Sequence, residues 1–202
     1  TLVSKTRLPN GERQDRWKLD RNHAPHLFFI PAGEFALIKE AWKDKNVNYY
    51  VEKEKEDLAK QVFKNTPQMM DFFSEITGID FVWEQYNQVV VRNFKEKAEA
   101  YTTVSVFSDA VYQSEGDLAD GNLWEPVIAN HLFQQWFGSF VSSKSWIEMS
   151  WNEGFGKYAA YLWMEQKYGQ DAADAYLQKT AALYRANTNM QQSLGEQDSD
   201  SH

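Results

Sequence analysis

The chain contains no cysteine. Disulfides, iron–sulfur clusters and thiolate zinc sites are therefore excluded, and His, Asp and Glu are the only metal ligands left. Four histidines make even that supply small. Long apolar runs are absent as well: HLFFIPA, from His26, falls far short of the roughly 20 residues that a membrane-spanning helix needs. No charged start followed by an apolar stretch marks a leader peptide, so the chain as given reads as soluble. Thr1 rather than Met opens it, which leaves the compartment unassigned. An excess of positive charge is also lacking. Lys and Arg number 21 against 29 Asp and Glu, a net charge of −8, which argues against nucleic acid or an anionic membrane as the main partner.

What is present is apolar and aromatic. Hydrophobic residues make up 43% of the 202, with eight Trp, ten Tyr and thirteen Phe, enough for one well-filled core and too much for a disordered tail or a coiled-coil rod. Short strand-like runs follow one another from Trp17 to about Val51 (WKLD, HLFFIPA, EFALIKEAW, VNYYVEK), separated by Pro25, Ala32-Gly33 and Asp44-Lys45-Asn46, and predict a β meander. Helical spacing begins at Glu52. Thr66 before Pro67 reads as a capping residue ahead of a first-turn proline, in a helix running to Gly78. Two further strands are expected at 86–92 and 101–107, then a turn-rich loop ending in Asp120-Gly121-Asn122. Helices are expected at 123–138, 145–169 and 170–186, and a polar tail over 189–202. Trp136, Phe137, Trp146, Trp151 and Trp163 are expected in the core, and His23 and His26 in turns or strands.

In the helix expected from Leu123, spacings of three and four put Val127, Asn130, Gln134 and Phe137 on one stripe. Two amides interrupt an apolar face, and a buried amide must find partners or cost about 1 to 3 kcal/mol. His131 lies one position on. Eighteen residues separate Gln134 from Glu153.

The run VIANHLFQQWFGSFVSSKSWIEMSWNEGFGKY resembles the signature of the gluzincin aminopeptidases, the alanyl-aminopeptidase-like metallopeptidases that include leukotriene hydrolase. The resemblance rests on Gln135-Trp136-Phe137-Gly138, Trp146 and Asn152-Glu153-Gly154-Phe155, with WKLDRNHAPHLFFIPAGEF, VNYYVEKE, NTPQMM and VVVRNF upstream. It implies an α+β fold: a short N-terminal β portion (1–50) like the end of the family's saddle domain, then a mainly helical thermolysin-like domain (51–188). It also implies flanking segments whose absence would leave apolar surface uncovered.

In this family two His on one helix and a later Glu hold zinc, while the Glu after the first His polarises the metal-bound water. Here Asn130 and Gln134 stand at the zinc-His positions, His131 at the catalytic Glu position, and Glu153 at the retained third ligand. Neutral amide oxygens are poor zinc ligands. The family's amine-binding motif corresponds to Lys97-Ala98-Glu99-Ala100-Tyr101, with Ala100 where the amine-binding Glu belongs and Glu99 one residue off, on the opposite face of an extended segment. The candidate substrate-binding residues are thus Ala98, Glu99, Ala100 and Tyr101. A Glu153 buried without zinc is expected to raise its pKa, find water, or pair with a charged neighbour such as a protonated His131.

The resulting expectation is an aminopeptidase-like domain without zinc and without peptidase activity, a pseudoenzyme or redesigned scaffold with a residual cleft for peptides. Two alternatives stay open: an active zinc aminopeptidase, which the overall resemblance favours, and a structural or partner-binding module.

Overall fold

The computed structural model describes residues 2–145 and 149–199, and within them the fold is α+β. Strand β1 (Leu2–Arg7) and strand β2 (Arg13–Trp17) form a separate antiparallel hairpin. A 3-10 turn at Pro25–Leu27 leads to β3 (Ala36–Trp42) and β4 (Lys45–Val51). Helices α1 (Glu56–Phe63) and α2 (Thr66–Thr77) cross to β5 (Gln85–Val91), followed by β6 (Ala98–Tyr101) and β7 (Val104–Ser108). Helices α3 (Glu115–Asp120), α4 (Glu125–Phe133), α5 (Met149–Tyr168) and α6 (Gln170–Ser199) complete the chain.

The main sheet has the order β3-β4-β5-β7-β6. The β4–β5 and β5–β7 pairs are parallel; the two edge strands run antiparallel to their neighbours. A parallel pair needs a long crossover, and α1 with α2 supplies the one between β4 and β5. Val47, Tyr49 and Val51 of β4 are buried with Phe63, Met70 and Phe73 from that crossover, and with Ile128, Leu132 and Trp136 from α4 and the turn after it. The border at residues 50/51 therefore runs through one sheet, with β3 and β4 before it and β5 to β7 after it. The change of polarity at Glu52 marks the switch from strand to helix.

Other expectations are corrected. HLFFIPA is no strand: it holds the Pro25–Leu27 turn, and Pro25 and Pro31 at its ends lack the N–H that a ladder uses. Thr66 does not cap α2. Asn65 holds the N-cap position without a side-chain cap bond, and Thr66 Oγ1 donates to Gln88 Oε1 of β5 at 2.9 Å. Residues 101–107 split at a turn into β6 and β7, and the loop before Gly121 contains α3, opened by a capping box between Ser114 and Asp117. Trp151 is 66% exposed, whereas Trp136 and Trp163 are buried. Trp146 lies outside the described residues. Residues 187–199 continue α6, since their Gln, Met, Leu and Glu suit a helix already nucleated.

Candidate functional site

Helix α4 starts with Pro126 in its first turn and ends at Phe133, one residue before Gln134. The chain then folds back in a tight turn: Ser139 N donates to Gln134 O at 2.9 Å and Val141 N to Trp136 O at 2.9 Å. Gly138 sits in this turn at φ +149°, where an added Cβ would fall 2.8 Å from Gln134 O. The helix expected to reach Gly138 stops early for that reason.

Asn130, Gln134 and Glu153 are brought together. Gln134 Nε2 donates to Asn130 Oδ1 at 3.0 Å and, more weakly, to Glu153 Oε2 at 3.4 Å. Asn130 is buried against Gly156 of α5, and Glu153 is exposed. Its partner is Lys157, whose Nζ lies 3.1 Å from Glu153 Oε1.

His131 is not with them, and the expected His131–Glu153 ion pair is corrected. His131 Nδ1 bonds the Val127 carbonyl at 2.8 Å, and the ring packs edge-on to Phe107 at 6.1 Å. Burial pushes the imidazole pKa down, against smaller upward pulls from the Val127 carbonyl and the Glu153 charge. A group held neutral in this way cannot be the cation for Glu153, and Lys157, one turn along α5, takes that place.

The four residues expected to touch substrate form β6, at the edge of the sheet. Glu99 accepts from the Tyr101 hydroxyl, whose pKa is pushed up to about 12, first by burial and then by that carboxylate. Ala100 lines a cleft of about 350 Å³ together with Gln134 and Glu153. His26, Leu27, Ser139, Ser143 and Asn152 also line it.

Three of the contributors were not singled out as site residues from the sequence. Lys157 is one, and the serines after Gly138 are another; their spacing SFVSSKS was the only signal. Gln135 is the third. Fully buried, it accepts from Thr103 N through Oε1 at 2.8 Å and donates to Tyr101 O through Nε2 at 2.9 Å, and so fixes the β6–β7 turn to the end of α4.

Residues 62–201 match the model of the Peptidase family M1 domain. The chain belongs to this family. Among M1-related proteins, Aminopeptidase M1 of Arabidopsis thaliana is 26% identical over 141 residues, which is 68% of this chain and 16% of that protein. Aminopeptidase N of Escherichia coli K12 is 22% identical over 160 residues, 75% of this chain and 18% of that protein. A Gallus gallus protein named transcription initiation factor TFIID subunit 2 is 26% identical over 112 residues, 55% of this chain and 10% of its own. The chain thus spans less than a fifth of each of these relatives.

The zinc associated with M1 peptidases does not fit the residues present. Gln134 presents its NH2 group, a donor, to Glu153, and the Asn130 amide oxygen already accepts from Gln134. Lys157 holds a positive charge beside the one carboxylate. Among the described residues no three His, Asp or Glu side chains form a group able to hold a metal. Among them, too, no helix is long and apolar enough to cross a membrane.

Proposed function

We propose that this domain is an M1-fold module that holds no zinc, hydrolyses no peptide bond and retains the cleft beside β6 as a peptide-binding groove. One observation carries the reading: Asn130, Gln134, Glu153 and Lys157 form a polar chain in which the Asn130 amide oxygen accepts from Gln134 and the two Glu153 carboxylate oxygens face the Gln134 amide and the Lys157 ammonium. His131, at the position of the catalytic Glu, bonds the Val127 carbonyl of its own helix through Nδ1. Ala98, Glu99, Ala100 and Tyr101 supply a strand edge rather than an amine anchor, and an extended peptide can add to such an edge. In this reading the functional unit is the 51–188 segment enlarged by β3 and β4, which complete its sheet.

The deciding measurement is the metal content after exposure to zinc and desalting, by elemental mass spectrometry, together with a peptidase assay on N-terminal chromogenic substrates. Near-zero zinc and no turnover are expected. Stoichiometric zinc with turnover would restore the reading of an active zinc aminopeptidase, which the names of the plant and bacterial relatives favour. A second reading, a partner-binding module without a ligand in the cleft, is favoured by the relative named as a subunit of a transcription initiation factor. Titration with short peptides to millimolar concentration separates the two, because a pure partner-binding module leaves the cleft signals unmoved.

A further inference from the structure

Antiparallel strands alternate between residues whose N–H and C=O face the partner strand and residues whose groups face away. Ser108 N donates to Lys97 O at 3.1 Å, which sets Lys97, Glu99 and Tyr101 as the residues facing β7. Ala98 and Ala100 direct their backbone groups to the open edge, as does Thr102, whose N–H is taken by Leu27 O at 3.1 Å. Between these two points Ala100 presents an N–H and a C=O to the cleft it lines. A ligand's backbone can use both.

Charge in the cleft decides what else of a peptide is read. Among the described residues Glu153 is the only acidic one lining it, and its carboxylate is held by Lys157 at 3.1 Å and by Gln134 at 3.4 Å. Glu99 is turned off the edge and bonded by the Tyr101 hydroxyl. Among the described residues, Glu153 and Glu99 therefore each already have a donor from within the chain, and a ligand's α-ammonium would meet no free counter-charge at either. An ammonium loses hydration on entering a cleft, and without a carboxylate to replace it the charge brings no gain.

We infer that the cleft binds an extended peptide segment without reading a free amino terminus, so that internal or N-acetylated segments dock as well as free-amine ones, and that Lys157 sets this indifference by occupying Glu153. The inference rests on the peptide-groove reading above. The probe is a pair of random heptapeptide pools, identical except that one is N-acetylated, incubated with the full chain; retained peptides are counted by mass spectrometry, and the Ala100 amide is followed by NMR.

Retention of the two pools within about twofold of each other is expected, with the Ala100 amide shifted by both. In Lys157→Ala, a partly exposed position, Glu153 is released and the ratio should move toward the free-amine pool by about two- to fivefold, the scale of an exposed ion pair. A preference of tenfold or more for the free-amine pool in the unaltered protein overturns the inference while leaving the groove in place. An unchanged ratio in Lys157→Ala overturns the assignment of Lys157. Retention of neither pool, with the Ala100 amide unmoved, overturns instead the peptide-groove reading.

Discussion

The Asn130 side chain lies over Gly156: a Cβ at Gly156 would fall 1.9 Å from Asn130 Oδ1 and 3.0 Å from its Cγ. The two helices that build the site, α4 and α5, meet here with only the Asn130 side chain between them, because Gly156 contributes none. Ala in place of Gly inside a helix ordinarily adds stability of about 1 kcal/mol. At this position the clash should reverse the sign, and Gly156→Ala is expected to destabilise the protein by about 1 to 3 kcal/mol. The double variant Gly156→Ala/Asn130→Ala should recover most of the loss. Urea unfolding of the two single variants and the double variant gives the coupling, and additive effects would show that the contact does not hold the helices.

A second test concerns the turn after β6. Thr103 has φ +66°, a left-handed conformation that a β-branched residue adopts only under constraint, and the buried Gln135 supplies that constraint by accepting from its N–H at 2.8 Å. Gln135→Met keeps the volume and removes both bonds, leaving the Thr103 N–H and the Tyr101 carbonyl to find new partners. A loss of about 2 to 4 kcal/mol is expected. Thr103→Gly, which accepts the same φ without strain, should be neutral or stabilising by up to about 1 kcal/mol. Destabilisation by Thr103→Gly larger than that would mean that the threonine side chain, and not Gln135, holds the turn.

Part of the site was legible in the sequence. Spacing puts Asn130 and Gln134 on one helix face at i and i+4, and the family resemblance implied that Glu153 meets them. The neighbours that decide its chemistry were not. Lys157 is an ordinary exposed lysine until α5 is seen to carry it one turn beyond Glu153. A protonated His131 was one candidate partner for Glu153, but its Nδ1 bonds the Val127 carbonyl four residues back on its own helix. The strands rich in β-branched residues were found, whereas the aromatic HLFFIPA run was mistaken for one. In this loop Phe29 stacks on Tyr101 at 4.6 Å while Phe28 and Ile30 are exposed, and Pro25 and Pro31 remove the donors.

The pH dependence of stability should report on His131. Burial lowers its pKa in the folded chain from the ordinary value of 6.5, so the unfolded chain takes up this proton first. Stability from this residue is complete above about pH 6.5, declines as the pH falls from there toward the folded value, and levels off below it. His131→Gln should flatten that decline, while His23 and His26 contribute equally to both proteins. Melting temperatures measured from about pH 8 to pH 5 give the difference profile. Parallel profiles would remove burial as the cause, and an imidazole pKa above 6.5 by NMR titration would revive the ion pair with Glu153.

Placing the family's ligand types at 130, 131 and 134 tests whether the backbone can hold a metal there. In Asn130→His/His131→Glu/Gln134→His the two imidazoles stand at i and i+4, the second just past the end of α4, and because the side chain at 130 already lies against Gly156 the larger ring requires a small shift of α4 against α5. Zinc uptake approaching one equivalent is expected by elemental mass spectrometry after desalting, against near-zero for the unaltered chain. Lys157 remains a competitor for Glu153 in that variant. Adding Lys157→Ala should tighten zinc by about two- to fivefold in competition with a chromogenic chelator. Uptake in the triple variant no greater than in the unaltered chain would mean that α4 and α5 are no longer spaced for a metal, and that the loss lies in the backbone as well as in the three substituted positions.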